Sequence, residues 1–330
     1  MSYKGMRVLV TGGGGFIASH LVEALVGDGA RVTALLRYNS RGDRGNLAHL
    51  DRRTLAGVDV VFGDVRDAFL VRQVVASHEV VFHLAALIGI PYSYRAPQSY
   101  LDTNVHGTLN VAQAALEAGV TRLVHVSTSE VYGTAQYVPM DERHPLQAQS
   151  PYAASKIGGE SLALSYWASF GLPVAVVRPF NTYGPRQSQR AVIPSVLAQL
   201  VRRDAVLRVG ALTPRRDFTY VKDTVRGLLA MGVAEQVVGA VTNLGSGSDM
   251  TIAELVAQCC DLVGYRPPVE SDPIRTRPER GEVMRLLCDA TRAANVAGWQ
   301  PHHTLREGLA ETLRFVEQQG PDRAGEGYAI

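Results

Sequence analysis

A run of four glycines, Gly12–Gly15, constrains the fold more than any other feature of the sequence. It directly follows Arg7–Val10, which is a predicted strand, and it precedes Phe16–Val26, which is a predicted helix. Glycine permits a tight turn and a close approach of the backbone, and the first turn of a helix offers free N–H groups and partial positive charge. This order predicts a loop that binds the pyrophosphate of a dinucleotide. Ala18 replaces the last glycine of the usual spacing and is small enough for the helix to pack on the strand.

Short apolar runs alternate with longer amphipathic stretches through the first half of the chain. This alternation is typical of βαβ units. Runs that are apolar on both faces indicate a parallel sheet covered by helices on both sides. The predicted strands are Arg7–Val10, Val32–Leu36, Val58–Phe62, Val80–His83, Leu123–Val126 and Val174–Arg178. The predicted helices include Phe16–Val26, Thr103–Ala118 and Pro151–Phe170. The fold class is therefore α/β, a Rossmann-type doubly wound parallel sheet.

The pattern of predicted elements changes after Pro179, where turn-rich segments alternate with helices and short strands. We predict a smaller mixed α/β domain that binds the substrate, formed by residues 181–217 and 248–330. Residues 1–180 form the Rossmann domain, and residues 218–247 are expected to return to it.

The composition of the chain argues against several classes of partner and site. The 330 residues carry 46% hydrophobic side chains and a formal charge of only +2, which argues against nucleic acid or a membrane surface as the main partner. Three cysteines without metal-ligand spacing indicate a reducing compartment and predict no metal site. The amino terminus has no signal-peptide core, and no apolar run reaches the roughly 18 residues of a membrane span. We expect a cytoplasmic protein.

The end of the second predicted strand bears on the choice between NAD and NADP. An acidic residue is expected there to bind the ribose 2′-hydroxyl of NAD, but this chain has Arg37. An arginine can pair with the 2′-phosphate of NADP, so the sequence favours NADP. The alternative is that Arg37 is solvated and that Asn39 or Ser40 binds the hydroxyl.

Tyr152 and Lys156 are the strongest candidates for catalysis. Residues four apart lie on one face of a helix, so the phenol and the ammonium are expected to meet. The cation would lower the pKa of the tyrosine, which suits removal of a proton from an alcohol near neutral pH. Lys156 is also one of only three lysines in the chain.

Taken together, these motifs resemble extended short-chain dehydrogenases/reductases of the epimerase/dehydratase type, which act on nucleotide-linked sugars. The resemblance extends to about Leu309 and rests on Thr11–Ala18, Asp64, His83–Ala86, Asn104, Ser127–Gly133, Tyr152–Lys156, Arg178–Arg186 and Arg216–Asp223. It implies a triad of Thr128, Tyr152 and Lys156, with Thr128 hydrogen-bonded to the sugar O4.

The family's cofactor and substrate contacts can be carried over onto matching positions. The predicted cofactor contacts are Gly12, Gly15, Phe16, Ile17, Arg37, Asn39, Ser40, Asp64, Val65, Leu84, Ala85, Ala86, Tyr152, Lys156 and Pro179. Asp64 is expected to accept from the exocyclic amine of adenine. The predicted substrate contacts are Ser93, Thr128, Asn181, Arg186, Val192, Arg216 and Arg277. Guanidinium groups match phosphate oxygens, so the arginines are expected at the diphosphate.

Glu130 indicates which reaction this chain catalyses. A ketone at C4 acidifies the proton on C5, and a glutamate beside the triad can remove it while the C6 hydroxyl leaves. The dTDP-glucose 4,6-dehydratases usually have an aspartate as acid in the position of Ser129, so this chain departs from that branch. Its local stretches look most like the dehydratases of N-acetylhexosamine nucleotides, including Tyr38–Ser40, Ile90–Tyr94 and Arg277–Val283.

The sequence therefore predicts an NAD(P)-dependent 4,6-dehydratase, with UDP-N-acetylglucosamine as the leading substrate. A UDP-glucuronate decarboxylase or a nucleotide-sugar 4-epimerase is the alternative reaction, and the former needs a cation such as Arg186 or Arg190 at the C6 carboxylate. A non-catalytic NAD(P)-sensing regulator is disfavoured because Thr128, Tyr152 and Lys156 are all present. By analogy with the family, we expect a homodimer formed through Asn104–Ala118 and Pro151–Phe170.

Overall fold

The computed structural model describes residues 2–320, so the last ten residues of the predicted substrate domain lie outside the described part. Its strands are Arg7–Thr11 (β1), Arg31–Arg37 (β2), Val58–Gly63 (β3), Val80–His83 (β4), Arg122–Val126 (β5), Val174–Pro179 (β6), Asn181–Tyr183 (β7), Leu207–Val209 (β8), Arg215–Tyr220 (β9), Ala240–Leu244 (β10), Asp249–Thr251 (β11) and Val269–Ser271 (β12). Its α-helices are Phe16–Gly27 (α1), Arg52–Ala56 (α2), Ala68–Val75 (α3), Ile90–Arg95 (α4), Pro97–Tyr100 (α5), Gly107–Ala118 (α6), Pro151–Phe170 (α7), Val192–Val201 (α8), Val221–Val233 (α9), Ile252–Val263 (α10), Thr291–Ala297 (α11) and Leu305–Gln319 (α12).

The central sheet has seven parallel strands in the order β10-β6-β5-β4-β1-β2-β3. The strand order reverses between β1 and β4, and the crevice outside this switch point is where open α/β sheets bind ligands. The predicted doubly wound sheet is confirmed. All six predicted strands are present, and β10 extends the sheet beside β6.

Helices cover both faces of the sheet because successive side chains of each strand point in opposite directions. Along β1, Val8 and Val10 belong to the core shared with α1 and α9. Leu9 belongs to the core on the opposite face, which also contains Val111 of α6 and Ala163 of α7. Every side chain of β5 and β6 is buried, as expected of strands covered on both sides.

Smaller elements flank the carboxyl ends of the central strands. β7, β9 and β11 form a three-stranded sheet, and β8 pairs with β12. α8, α10 and α12 pack against each other beside these strands. This cluster shares one continuous apolar core with the α1 and α9 face of the large sheet.

The helix that carries Tyr152 begins and ends at the residues that the sequence predicts. The Ser150 side chain accepts a hydrogen bond from the backbone N–H of Ala153, and Pro151 occupies the first helical position, where a missing N–H costs nothing. Gly171 ends the helix in the left-handed conformation, with φ of 72°. These local interactions determine where the catalytic helix begins and ends.

The prediction of one regular helix over Thr103–Ala118 is wrong in its first turn. Leu101–His106 forms a π-helical turn, and α6 begins only at Gly107. Within this segment the Asn104 carbonyl accepts a hydrogen bond from the Thr108 hydroxyl at 2.7 Å. Single π-turns occur frequently at functional sites.

Candidate active site

The carboxyl ends of the central strands open onto a cleft of about 860 Å³. Its wall is formed by the glycine-rich loop, the loops after β2, β4, β5 and β6, and the smaller elements. The predicted site residues that line it are Gly12, Gly15, Phe16, Ile17, Arg37, Asn39, Leu84, Ala85, Ala86, Thr128, Ser129, Glu130, Tyr152, Lys156, Pro179, Asn181, Val192, Arg216 and Arg277. The structure therefore brings most of the predicted constellation to one place.

The glycine-rich loop forms a cradle of bare backbone. Gly12 has φ of 72°, and a Cβ atom added there would lie 2.9 Å from the backbone of Ala85. The loop turns back on itself because the Gly15 N–H donates to the Gly12 carbonyl at 2.8 Å. Gly15 then precedes the first turn of α1, where backbone N–H groups face an anion. These residues fit the pyrophosphate of a dinucleotide cofactor.

Tyr152 lies beside Thr128 in the cleft and interacts with it through a side-chain hydrogen bond. Burial raises the pKa of Tyr152 well above its usual value, the opposite of the predicted direction. The reason is that the Lys156 ammonium donates to the Val126 carbonyl oxygen at 2.7 Å, and desolvation of the phenol dominates. Burial also lowers the pKa of Lys156 to about 8, although the nearby Glu160 carboxylate opposes this shift.

Asn104 connects the loop after β4 to the catalytic helix. Its Oδ1 accepts from the Leu87 N–H at 2.8 Å, and its Nδ2 donates to the Leu87 carbonyl at 3.0 Å. Nδ2 also donates to Ser155 Oγ at 2.9 Å, and Ser155 Oγ donates to the Tyr152 carbonyl. Asn104 is buried, so these bonds hold Leu87 and the Tyr152 helix in fixed register.

His83 continues this buried network toward the glycine-rich loop. His83 Nδ1 lies 2.8 Å from Thr11 Oγ1, which accepts a bond from the Ala85 N–H, and His83 Nε2 lies 3.1 Å from Thr108 Oγ1. Because the Thr108 hydroxyl already donates to a backbone carbonyl, we assign the proton of the imidazole to Nε2. Burial lowers the pKa of His83 to about 3, with a smaller contribution from Lys156, so the ring is neutral.

Glu130 lies in the cleft wall on a short 3₁₀ turn capped by Thr128, whose hydroxyl accepts from the Glu130 N–H at 3.2 Å. Burial is the main cause of the raised pKa of Tyr152, and the charge of the Glu130 carboxylate raises it further. Arg277 Nη1 lies 3.4 Å from Glu130 Oε2. The neighbouring Ser129 also lines the cleft.

Three polar atoms of residues that line the cleft are buried and have no hydrogen-bond partner within the described residues. They are the Ser127 hydroxyl, Asn181 Oδ1 and Gln187 Oε1. An unsatisfied buried polar group is costly, so such atoms indicate where a polar ligand completes the site. Between residues 2 and 320, no helix is both long and apolar enough to cross a membrane, and no group of three or more His, Cys, Asp or Glu side chains could hold a metal ion.

Comparison with known proteins assigns the family. Residues 9–312 match the family model of GDP-mannose 4,6-dehydratase. The dTDP-glucose 4,6-dehydratase of Actinoplanes sp. is 35% identical over 319 residues, which cover 94% of this chain and 97% of that protein. The UDP-glucose 4-epimerase of Mycolicibacterium smegmatis is also 35% identical over 319 residues, which cover 95% of this chain and 99% of that protein. The chain belongs to the extended short-chain dehydrogenase/reductase family.

A solved structure of this family supports the same assignment. DesIV, the dTDP-glucose 4,6-dehydratase from Streptomyces venezuelae determined with NAD bound, is 32% identical and superimposes with a TM-score of 0.86 over 95% of this chain and 97% of its own. The resemblance and fold class predicted from sequence are confirmed. The protein is an enzyme of the nucleotide-sugar dehydratase and epimerase branch of the short-chain dehydrogenases/reductases.

Some predicted cofactor contacts of this short-chain dehydrogenase/reductase lie outside the cleft. The Asp64 carboxylate is held by the Arg66 guanidinium at 2.6 Å, which lowers the pKa of Asp64, and it lines a separate shallow depression. Val65 is buried against Gly107, and Ser40 lies in an exposed turn. The role of Asp64 at the adenine stays a prediction, and Arg66 already occupies part of its carboxylate.

Two predicted substrate contacts are also held elsewhere. Arg186 Nη2 forms an ion pair with Glu23 of α1 at 2.8 Å, whereas its Nη1 is buried and has no hydrogen-bond partner within the described residues. Arg186 has φ of 68°, a conformation that residues other than glycine rarely adopt. Ser93 is fully buried, and its hydroxyl donates to the Ile90 carbonyl at 2.7 Å. The roles of Arg186 and Ser93 at the substrate stay predictions.

A loop that was not predicted from the sequence borders the cofactor end of the cleft. Asp43 and Gly45 line the cleft, and a Cβ atom added at Gly45 would lie 2.6 Å from the Gly14 carbonyl oxygen. The Asn39 side chain shapes this loop, because its Oδ1 accepts from the Asp43 N–H at 2.8 Å and its Nδ2 donates to the Asp43 carbonyl. A turn pattern of asparagine, aspartate and glycine was the available signal. Glu282, between Arg216 and Arg277, was also missed.

Proposed function

We propose that this enzyme is an NAD(P)-dependent nucleotide-sugar 4,6-dehydratase that acts on UDP-N-acetylglucosamine. The observation that carries the proposal is a second proton-transfer group, Glu130, in the cleft wall beside Thr128 and Tyr152. A simple 4-epimerase of this family needs no such carboxylate. The dehydratase family model and the dehydratase of Actinoplanes sp. support the same reaction. The local sequence resemblance supports the N-acetylhexosamine substrate.

Oxidation at C4 begins the reaction. Bound NAD(P)⁺ supplies an acceptor for the C4 hydride and later the donor that reduces C6. Tyr152 removes the proton of the C4 hydroxyl, and Thr128 holds O4 by a hydrogen bond. Positive charge on Lys156 close to the site stabilises the phenolate that Tyr152 must form. The side chains of Asn104 and Ser155 hold the tyrosine helix in place.

Elimination of water follows from the C4 ketone. The ketone acidifies the proton on C5, and the Glu130 carboxylate takes it. The C6 hydroxyl leaves as water with this proton, since Ser129 is too weak an acid to donate one. Reduction at C6 and addition of a solvent proton at C5 give the 4-keto-6-deoxy sugar.

A nucleotide-sugar 4-epimerase is the second candidate. The UDP-glucose 4-epimerase of M. smegmatis matches this chain as closely in identity as the dehydratase does, and Ser129 replaces the acid of the dTDP-glucose dehydratases. An epimerase requires only Tyr152, Thr128 and the cofactor. The products of the two reactions differ in mass, because only the dehydratase product has lost water from the substrate.

Within the cofactor class, we propose NADP. Arg37 ends β2 and lines the cleft, where a 2′-phosphate can bind it. The Asn39 amide, the neutral alternative for the ribose hydroxyl, already bonds to the backbone of its own loop. Asp43, on the same edge of the cleft, is the group that would favour NAD instead.

We also propose that the enzyme is a homodimer, with α6, α7 and the same helices of a second copy forming a four-helix bundle. Leu101 and Leu109 lie two turns apart on the helical segment that carries α6, and both are exposed, at 45% and 38%. An apolar stripe at this spacing is typical of a helix that packs on a partner. Light scattering tests this proposal, and a monomer at micromolar concentration would refute it.

Separate incubations with UDP-N-acetylglucosamine, UDP-glucuronate and GDP-mannose test the proposed reaction. Mass spectrometry of each product distinguishes loss of water, loss of carbon dioxide and unchanged mass. We expect loss of one water from UDP-N-acetylglucosamine. Release of carbon dioxide from UDP-glucuronate, or an epimer of unchanged mass, would contradict the dehydratase assignment.

A further inference from the structure

Four charged side chains follow one another along the cleft wall. Arg277 Nη1 lies 3.4 Å from Glu130 Oε2 and 3.8 Å from Glu282 Oε1, and Arg216 Nη2 lies 2.9 Å from the same Glu282 oxygen. The exposure of these side chains ranges from 6% for Arg216 to 22% for Arg277. We call Glu130, Arg277, Glu282 and Arg216 the charge chain. Its two cations and two anions balance, so it needs no further ion while the nucleotide is absent.

Arg277 is the loosest member of the charge chain. Charge-assisted N–H···O bonds are usually about 2.7–2.9 Å long. Both contacts of Arg277 exceed this length, whereas the contact between Arg216 and Glu282 does not. Arg277 also lies between two short 3₁₀ turns, Pro273–Arg275 and Glu279–Gly281, and not within a helix or strand. Its guanidinium can therefore change partner without breaking an element of regular structure.

A diphosphate would disturb the balance of the charge chain. It brings negative charge to a wall where Glu130 and Glu282 already share two arginines, and a buried charge without a partner is costly. The planar fork of a guanidinium matches phosphate oxygens well. The arginine with the weakest carboxylate contacts is expected to move first, and that arginine is Arg277. Arg216 is held to Glu282 and can accept the diphosphate without leaving it.

We propose that Arg277 masks Glu130 until the diphosphate of the nucleotide sugar draws Arg277 away. Glu130 becomes available as a base only when the substrate is seated, because until then the Arg277 guanidinium lies against its Oε2 at 3.4 Å. Glu282 is a positioning residue that keeps both arginines beside the path of the diphosphate. This inference rests on the proposed role of Glu130 in removing the C5 proton.

A structural comparison tests the movement independently of the reaction. Crystals of the holoenzyme are grown with UDP and, separately, with uridine, which fits the same end of the cleft but lacks phosphates. With UDP, we expect the Arg277 guanidinium to leave ion-pair distance of Glu130 and to bind phosphate oxygens. With uridine, we expect the pair between Arg277 and Glu130 to remain. An Arg277 that stays on Glu130 in the UDP complex would overturn the proposal.

Kinetics test the consequence for catalysis. Arg277→Met and Arg216→Met each remove one diphosphate contact, so both should raise KM by about tenfold. Arg216→Met is the matched control, because Arg216 forms its ion pair with Glu282 at 2.9 Å and acts on Glu130 only through its charge at longer range. In Arg277→Met, Glu130 has no guanidinium beside it, so the rate of water elimination should match the rate of C4 oxidation. Reduced cofactor that accumulates in Arg277→Met but not in Arg216→Met would overturn the masking role. If the wild-type enzyme eliminated no water, the proposed function would fail, while the UDP and uridine structures would still report the movement of Arg277.

Discussion

Asn104 Nδ2 donates a hydrogen bond to Ser155 Oγ at 2.9 Å, and this bond joins the π-helical turn to the catalytic helix. The same amide makes two bonds to the backbone of Leu87, which follows the small residues that line the cofactor end of the cleft. A single buried side chain thus fixes the spacing between the cleft wall after β4 and the helix that carries Tyr152. Both the fold and the geometry of the active site depend on it.

Replacement of Asn104 by leucine should destabilise the protein. The change removes the partner of the partly buried Leu87 N–H and carbonyl and of the buried Ser155 hydroxyl, which lowers the free energy of unfolding by about 1–3 kcal/mol. Asn110→Leu is the control, because Asn110 also bonds to backbone carbonyls but lies at a partly exposed position. Urea titration of both variants measures the difference. If both variants lost the same free energy of unfolding, the burial of Asn104 would add nothing to the stabilisation by its hydrogen bonds.

Gly12→Ala should weaken cofactor binding. The added methyl group would lie 2.9 Å from the Ala85 backbone, and alanine disfavours φ of 72°. Gly5→Ala is the control that separates the steric clash from the backbone strain. Gly5 has φ of 79°, but nothing lies within 4 Å of an added Cβ atom. Calorimetric titration with NADP and NAD should show a loss of affinity for Gly12→Ala alone. A similar affinity in both variants would contradict the assignment of this loop as the cofactor cradle.

The sequence predicts elements whose causes are local and misses contacts whose causes are distant. The glycine run lies directly between β1 and α1, so both elements could be placed, and the helical spacing placed α7. The ion pair between Arg186 and Glu23 was not predicted, because Glu23 lies 163 positions earlier in the chain. The hydrogen bond from the Lys156 ammonium to a backbone carbonyl on β5 was not predicted either. Residue types alone do not reveal such partners.

The choice of cofactor can be tested at Arg37. Arg37→Ala removes the predicted partner of the 2′-phosphate, so the affinity for NADP should fall by about tenfold while that for NAD changes little. Arg41→Ala is the control, since Arg41 lies in the same exposed loop but outside the cleft lining. Kd values for both cofactors give the ratio. A wild-type enzyme that binds NAD more tightly than NADP would refute the preference.

Acid should weaken the fold in part through His20. Burial lowers the pKa of His20 to about 4, with Arg186 and Lys222 also lowering it and the Pro185 carbonyl and Glu23 opposing. Because the unfolded chain binds the proton first, the free energy of unfolding falls as the pH drops from about 6.5 toward 4. Between pH 7 and pH 5 this contribution is about 2 kcal/mol.

Urea titrations at pH 7 and pH 5 measure this contribution. His20→Gln should lose less stability than the wild type between the two values, and the exposed His106→Gln should behave like the wild type. The same pH dependence in His20→Gln and in the wild type would show that folding does not lower the pKa of His20.

Glu130→Gln tests the central claim most directly. The amide cannot take the C5 proton, whereas Tyr152 and Thr128 remain to support oxidation at C4. After addition of UDP-N-acetylglucosamine, the absorbance of the reduced cofactor should rise and persist, and mass spectrometry should find no product that has lost water. Tyr152→Phe, the control, should form no reduced cofactor. A dehydrated product formed by Glu130→Gln at the wild-type rate would contradict the account.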